Sequence, residues 1–292
     1  MLLHWLRSRT CQPRFSLAKH DGTFGWRHKP AHPYTRRRLA APKEHVQQNQ
    51  PDGVPPLELT GERTLPDVPA ENYWFRRHLA VYEWIARRCA GLEVVDVACG
   101  EGYGTDVLAR YATRVTGVDA NPEAFEHARR KYTRPGVSFV RDMVETYSEP
   151  CDAVVFLQTI EHVPNPKAVL DHLRSLLRPD GTLYVSTPNV LTLAPPGAEK
   201  SDNPWHVREY HAGEFRELCE QSFDQVELLG LFHAAKLKIH EFALRHGWDN
   251  FHTKLGFTEL FYSWFVPAIR ASDFALREGD LDTALDFLAV CR

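Results

Sequence analysis

The sequence of 292 residues lacks long apolar runs and paired cysteines. No uninterrupted apolar stretch approaches the roughly 20 residues that a membrane-spanning helix needs, so we expect no membrane span. Six cysteines are scattered along the chain without a CxxC pair, which argues against a disulfide framework or a zinc motif. Residues 1–6 are too short and too broken an apolar run for a signal-peptide core. We therefore expect a cytoplasmic protein with reduced thiols.

The net charge of −3 is distributed unevenly. Residues 1–45 hold ten basic and two acidic residues, a net charge of +8, whereas the remainder carries −11. Proline recurs up to Pro56, and no helical or alternating period is sustained. We predict that residues 1–56 form a basic, mostly disordered arm, with a transit peptide or nucleic-acid arm as the alternatives. The acidic remainder argues against a nucleic-acid partner.

Strand-like and helix-like segments alternate within a domain predicted over 57–292. An N-terminal helix is predicted over 69–90, because apolar residues recur there at helical spacing. Strands are predicted at 93–98, 114–119, 137–141, 152–157, 182–186, 226–231 and 285–290, and further helices at 105–111, 122–132, 166–177 and 213–222. This alternation predicts an α/β fold, with helices on both faces of a mostly parallel, seven-stranded Rossmann-like sheet and a helical insertion at 232–282 before the last strand.

The first predicted strand runs into a glycine-rich turn, DVACGEGYG at 96–104. Glycines allow a sharp turn and close approach to a ligand, and the following helix N-terminus adds oriented N–H groups. The spacing is neither the GxGxxG dinucleotide fingerprint nor a phosphate-binding GxxxxGK[ST] loop. The turn is also long enough for Asp96 to reach a ligand. Asp119 ends the second predicted strand and Asp142 follows the third, so all three acids lie at the carboxyl edge of the sheet, where open α/β folds bind ligands. There Asp119 can accept both ribose hydroxyls and Asp142 an adenine amino group; turn formation and helix capping are their alternative roles.

Together these features resemble the class I S-adenosylmethionine-dependent methyltransferases from about 96 to 232. Besides the glycine-rich turn, the resemblance rests on VDANP at 118–122, IEHVP at 160–164, LRPDG at 177–181 and STPN at 186–189. It implies S-adenosylmethionine as the cofactor. The residues that it implies as cofactor contacts are Gly100 and Gly102 beside the methionine part, Asp119 and Ala120 at the ribose, Asp142 and Met143 at the adenine, and Gln158 along the methionine.

One residue departs from the family pattern, and arginines of the first predicted helix add candidate contacts. Ala98 stands where the family commonly has glycine, and we expect a slightly narrower turn rather than loss of binding. Arg76 and Arg77 are further candidates, because a guanidinium can clamp the carboxylate of S-adenosylmethionine or a substrate anion, and Arg76 is taken as the cofactor contact. Exposed positions on the predicted N-terminal helix are their alternative.

A narrower resemblance covers most of the chain after Leu57. The segments LTGERT at 59–64, ENYWFRRH at 71–78, NPWHVRE at 203–209 and GLFH at 230–233 resemble actinobacterial methyltransferases linked to sugar O-methylation, notably of methylglucose lipopolysaccharides. This implies methyl transfer to a hydroxyl of a small molecule or saccharide, with 6-O-methylation of glucose units as one candidate. A quinol or other secondary metabolite is an alternative acceptor. An NAD-binding Rossmann enzyme and a non-catalytic S-adenosylmethionine binder are alternatives of another class.

Methyl transfer to a hydroxyl needs in-line positioning and benefits from a base. His206, His162 and its neighbour Glu161 are the catalytic candidates, because they follow the fourth and fifth predicted strands; ordering of loops is their alternative role. Glu161, His162, His206, Glu209 and His211 could in principle bind a divalent metal. His206 and His211 do not form an HExxH motif, however, so no required metal is expected. We interpret the aromatic and histidine-rich insertion at 232–282 as an acceptor lid, or alternatively as a helical patch with its own small core.

Overall fold

One sheet of eight strands forms the centre of the computed structural model, which describes residues 46–59, 63–195 and 198–292. The strands are β1 (Glu93–Val97), β2 (Arg114–Val118), β3 (Val137–Val140), β4 (Cys151–Leu157), β5 (Leu177–Pro188), β6 (Val226–His233), β7 (Phe274–Arg277) and β8 (Asp286–Cys291). Their order across the sheet is β3-β2-β1-β4-β5-β8-β6-β7. β1 to β5 pair in parallel, whereas β8 runs antiparallel to both β5 and β6.

The helices are α1 (Asn72–Ala86), α2 (Tyr103–Leu108), α3 (Pro122–Lys131), α4 (Pro166–Ser175), α5 (Val190–Leu193), α6 (Ala212–Glu220), α7 (Ala235–Arg245), α8 (Trp248–Lys254) and α9 (Thr258–Phe265). Local signals set several starts. Asn121 and Asn165 cap α3 and α4 by accepting backbone N–H groups, and each precedes a proline in the first turn.

The residues of β4 alternate between two apolar cores, one on each face of the sheet. Val154 and Phe156 pack with the buried face of α4 and α6, whereas Ala153 and Val155 pack with α1 and α2. This alternation is what a strand buried on both faces requires. The predicted class, a mostly parallel sheet with helices on both faces, is therefore confirmed.

The predicted number of seven strands is wrong. The eighth strand, β7, pairs antiparallel with β6 and lies inside the stretch expected to be helical. Its four residues are too few to show a period-2 pattern, and its pairing partner is more than forty residues away in sequence. The LRPDG motif at 177–181 lies within β5, where the register shifts between the Cys151–Leu177 and Ala153–Thr182 pairs.

The insertion contains α7, α8 and α9 and has an aromatic cluster of its own. His240 and His252 are buried there, and both rings stack on Phe261. The same helices expose many large apolar side chains, namely Ile239, Phe242, Phe251, Leu255, Leu260 and Trp264. Among the residues that the structure describes, no helix is both long and apolar enough to cross a membrane.

The segment from Val46 to Leu57 packs on the domain. Val46 forms an antiparallel bridge with Glu58, and the Gln47 amide group is buried. His127 on α3 contacts the Pro55 carbonyl through Nδ1 at 2.6 Å. These contacts extend the packed domain to Val46, so the predicted boundary at 57 lies too late. The rest of the predicted arm, residues 1–45, lies outside the described residues.

Candidate functional site

The chain reverses its direction across the sheet between β1 and β4. β2 and β3 extend to one side of β1, and β4 returns to its other side. Ligands of open α/β sheets bind at such a switch point, outside the carboxyl ends of the strands. The glycine-rich turn follows β1 there, and the segments after β2, β3, β4 and β5 reach the same edge. The predicted site residues therefore share one edge of the sheet.

The turn after β1 has three residues with positive φ: Ala98 at 56°, Gly100 at 58° and Gly102 at 95°. A Cβ on Gly102 would lie 2.8 Å from the Ala128 Cβ, whereas one on Gly100 would have nothing within 4 Å. The open side of the turn is thus at Gly100. Ala98 occupies a backbone conformation that favours glycine, which costs roughly 1 kcal/mol and explains why glycine suits this position.

Asp119 orders this turn through both carboxylate oxygens. Oδ2 accepts the Gly100 N–H at 2.8 Å, and Oδ1 accepts the Asn121 N–H at 2.8 Å. The side chain is half-buried, and Ala120 beside it is exposed. Each carboxylate oxygen has a second lone pair, so these bonds are compatible with accepting ribose hydroxyls. The ribose role of Asp119 stays a prediction.

Asp96 is buried beneath the turn. It accepts hydrogen bonds from the Tyr82 hydroxyl at 3.1 Å and the Thr105 hydroxyl at 2.7 Å, one on each oxygen. Burial raises the pKa of this carboxyl to about 7, although the two hydroxyl donors oppose the shift. In this arrangement Asp96 supports the turn from within, and its predicted cofactor contact stays a prediction.

Sequence reasoning missed the role of Glu101, which lies between the two loop glycines. Its carboxylate is buried and accepts hydrogen bonds from His127, Lys131, Tyr132, Gln47 and the Tyr103 N–H. Burial opposes ionisation, but these donors outweigh it and hold the pKa of Glu101 below its ordinary value. Glu101 therefore ties the turn to α3 and to the segment that begins at Val46.

Three other predicted cofactor contacts also lie just beyond strand ends. Asp142 accepts the Met143 N–H at 2.8 Å and the Thr146 hydroxyl, and the Met143 side chain is exposed. Gln158 has a positive φ of 51°, and its backbone N–H and side-chain amide both donate to the Ser186 hydroxyl at 3.1 Å. Their contacts with adenine and methionine stay predictions.

The two arginines of α1 have different surroundings. Arg76 is half-buried, donates to the Asn72 side chain at 3.1 Å and packs over the Phe75 ring, so its predicted cofactor contact stays open. Arg77 is buried and makes a two-pronged ion pair with Asp286, the first residue of β8, with N–O distances of 2.6 and 2.5 Å. This pair joins α1 to the carboxyl edge beside β5.

The three predicted catalytic residues meet in one cluster. One carboxylate oxygen of Glu161 and one ring nitrogen from each of His162 and His206 all lie within 4.8 Å of one another. Glu161 is 1% exposed, and burial raises the pKa of its carboxyl to about 8. The rings of His162 and His206 meet edge to face, with centroids 5.0 Å apart.

Segment 201–209 holds both histidine rings of the cluster. His206 donates from Nδ1 to Glu209 at 2.6 Å and accepts the Asn203 amide at Nε2, 2.9 Å away. His162 donates from Nδ1 to the Trp205 carbonyl at 2.9 Å. Burial opposes ionisation of Glu209, but hydrogen bonds from His206 and Ser201 hold its pKa below the ordinary value. The sequence offered no signal for these supports beyond their closeness to His206.

The sheet order, the glycine-rich turn at the switch point and the acids at the strand ends define a Rossmann-like protein of the nucleotide-cofactor type. The family model described as a methyltransferase domain matches residues 65–241. The chain therefore belongs to this methyltransferase family, and its cofactor is S-adenosylmethionine.

Mycobacterial relatives match along most of their length. A "probable S-adenosylmethionine-dependent methyltransferase" of Mycolicibacterium smegmatis is 39% identical over 255 residues, covering 82% of this chain and 97% of the relative. A protein described in the same words from Mycobacterium tuberculosis H37Rv is 36% identical over 248 residues, covering 80% and 89%. A ubiquinone biosynthesis O-methyltransferase of Xylella fastidiosa is 35% identical over 129 residues, covering 40% and 52%.

Solved structures agree on the fold. An S-adenosylmethionine-dependent methyltransferase of Thermotoga maritima, described as a possible histamine N-methyltransferase, has a TM-score of 0.51 and 17% identity. The match covers 75% of this chain and 92% of that chain. At this identity the likeness shows the fold alone.

Proposed function

We propose that this methyltransferase transfers the methyl group of S-adenosylmethionine to a hydroxyl oxygen of a small molecule or saccharide. The observation that carries the proposal is the cluster of Glu161, His162 and His206, which lies at the same sheet edge as the glycine-rich turn. The cluster supplies imidazole and carboxylate groups where an acceptor hydroxyl would have to be activated beside the methyl donor.

In the reaction, the acceptor oxygen attacks the methyl carbon, the carbon–sulfur bond breaks, and sulfur keeps the electron pair. The acceptor proton must leave, and an alcohol is less acidic than the Tyr phenol, whose pKa is about 10. His206 is the first candidate base, because Glu209 holds its proton on Nδ1 and leaves the lone pair on Nε2. The Asn203 amide, which now donates to Nε2, must turn away for this role.

The cofactor occupies the turn and strand ends in this proposal. Gly100 and Gly102 flank the methionine part, and Asp119 with Ala120 holds the ribose. Asp142 and Met143 line the adenine, with Gln158 along the methionine. Support comes from the open space at Gly100 and from the half-buried Asp119 carboxylate, each oxygen of which accepts one backbone N–H and has a second lone pair.

We further propose a saccharide acceptor, with the 6-hydroxyl of glucose units in methylglucose lipopolysaccharide as the specific candidate. The narrower sequence resemblance supports this acceptor, and so do the aromatic side chains of the insertion, which suit the apolar faces of sugars. A quinol is the second candidate, because the ubiquinone biosynthesis O-methyltransferase matches 40% of the chain.

The test of activity incubates the full chain with labelled S-adenosylmethionine and a panel of glucosides, maltooligosaccharides and quinols. His206→Ala should lower kcat by roughly 10²-fold or more, the scale of losing a general base, with little change in cofactor affinity. His172→Ala is the matched control, since the ring of this half-buried histidine on α4 contacts the Tyr147 carbonyl through Nε2 at 2.9 Å. Normal turnover in His206→Ala would refute its role.

The lid role of the insertion has a separate test. Phe242 and Trp264 are 62% and 76% exposed, so alanine at either position should leave the fold intact. If the insertion covers the acceptor, these variants should raise the acceptor KM and leave the affinity for S-adenosylmethionine unchanged. Tyr111→Ala, an exposed aromatic change next to α2, is the control. Unchanged KM in both insertion variants would place the acceptor elsewhere.

A further inference from the structure

The cluster of Glu161, His162 and His206 has the composition of a metal site. Its three donor atoms lie within 4.8 Å of one another, and Glu161 and His206 are buried. Two imidazoles and one carboxylate are ligands that zinc and related dications prefer. Three protein ligands with one open coordination position are typical of catalytic rather than structural zinc sites.

The outer partners of both histidines also match those of metal ligands. A metal-bound histidine almost always donates its other ring N–H to a carboxylate or a backbone carbonyl, which fixes the tautomer and orientation. His206 donates from Nδ1 to the Glu209 carboxylate, and His162 donates from Nδ1 to the Trp205 carbonyl. In both rings this leaves Nε2 as the nitrogen whose lone pair can reach a metal.

The charges around Glu161 favour a cation. The hydrogen bond at its Oε2 comes from the neutral hydroxyl of Thr187, 3.1 Å away. A second carboxylate, that of Glu209, stands beside the cluster and accepts the Nδ1 proton of His206 at 2.6 Å. Two nearby arginines are engaged elsewhere: Arg77 has both prongs of its guanidinium on Asp286, and Arg208 pairs with Glu214 and packs over the Tyr210 ring. A dication between Glu161 and the two histidines would balance this negative charge.

Small movements would complete the coordination. The Glu161 Oε1 to His162 Nε2 distance is 4.0 Å. Tetrahedral ligands at zinc distances lie about 3.5 Å apart, so donors up to 4.8 Å apart need to close by up to about 1.3 Å. The Asn203 amide must also leave the Nε2 atom of His206.

We propose that Glu161, His162 and His206 bind a divalent transition metal of the zinc type, whose open position takes the acceptor hydroxyl. The catalytic part rests on the proposed hydroxyl methylation. As a Lewis acid the metal lowers the pKa of the bound hydroxyl, whose proton passes to water. The oxygen then attacks the methyl carbon as the carbon–sulfur bond breaks. His206 acts in this case as a ligand, not as the base.

The binding test uses the untagged full chain after dialysis against EDTA. Calorimetry with Zn²⁺ and visible absorption with Co²⁺ should show one site that is lost or weakened more than about tenfold in Glu161→Gln, His162→Ala and His206→Ala. Glu209→Gln should weaken it about 10- to 100-fold. His246→Ala, an exposed histidine of the insertion, should bind as the parent does. S-adenosylmethionine affinity reports whether each variant is folded. Equal metal binding by the folded cluster variants and the parent overturns the site.

The activity test adds acceptor and labelled cofactor to the EDTA-treated chain, with and without Zn²⁺ or Mn²⁺. Activity that returns only with metal supports the catalytic role. Full turnover without metal overturns that role and leaves hydroxyl methylation standing. Metal binding at the cluster, with no methylation of any hydroxyl acceptor, supports the metal site and overturns the proposed function.

Discussion

Replacing Asp119 gives the most direct test of how the site holds its cofactor. The carboxylate is proposed to accept two ribose hydroxyls while it orders Gly100 and Asn121 through 2.8 Å bonds. Each hydrogen bond to a charged group contributes about 1.5–3 kcal/mol, so losing two should cost about 3–6 kcal/mol. Asp119→Ala should therefore weaken binding of S-adenosylmethionine roughly 10²- to 10⁴-fold. The affinity of Asp119→Asn for S-adenosylmethionine should fall between those of the parent and of Asp119→Ala, because asparagine keeps one acceptor oxygen.

Calorimetry on the purified variants measures this loss, and thermal unfolding shows whether they are folded. Asp152→Ala is the matched control. Asp152 also accepts a backbone N–H, that of Glu93 at 2.8 Å, but it lies at the opposite, amino edge of the sheet. The Asp152→Ala variant should unfold at a lower temperature and keep the parent's affinity for S-adenosylmethionine. Unchanged affinity in folded Asp119→Ala would refute the ribose assignment, and tighter binding of NAD would favour the alternative cofactor.

Three further predictions concern the turn and its supports. Ala98 has a φ of 56°, a conformation that glycine adopts more easily, so Ala98→Gly should raise the free energy of unfolding in urea by roughly 1 kcal/mol. A lower free energy of unfolding in this variant would contradict backbone strain at Ala98. Asp96 is buried with a pKa raised to about 7, so its contribution to stability is present below about pH 4 and lost as the pH rises through about 7. Asp96→Asn should flatten this decline by up to about 1.4 kcal/mol per pH unit, and an unchanged slope would contradict the shift. Gln47→Ala should cost about 1–3 kcal/mol by breaking buried bonds to Glu101 and the Pro66 carbonyl, whereas exposed Gln48→Ala should cost little.

The sequence carries local information well, and this explains what could be predicted. Proline and asparagine at 121–122 and 165–166 mark helix starts, and apolar runs mark the buried strands. The acids at strand ends could be assigned to one edge because parallel strands end together. Each of these inferences uses neighbours within a few residues and a general rule of sheet topology.

What could not be predicted depends on pairs that are distant in sequence. Arg77 and Asp286 are 209 positions apart, and the Asn72 amide contacts the Val266 carbonyl 194 positions away. The Glu101 network likewise reaches back 54 positions to Gln47, which is why residues 46–56 pack although their composition suggests an arm. Such contacts have no periodic signature, and a single sequence does not reveal them.

The end of β5 connects the two halves of the proposed site. Ser186 accepts hydrogen bonds from Gln158, the residue proposed to lie along the cofactor's methionine. The next residue, Thr187, donates at 3.1 Å to Glu161, which belongs to the cluster with His162 and His206. Both are buried in a strand that is paired on each side, by β4 and β8. Because in-line methyl transfer depends on a fixed spacing between donor and acceptor, two consecutive residues of a rigid central strand are well placed to set it.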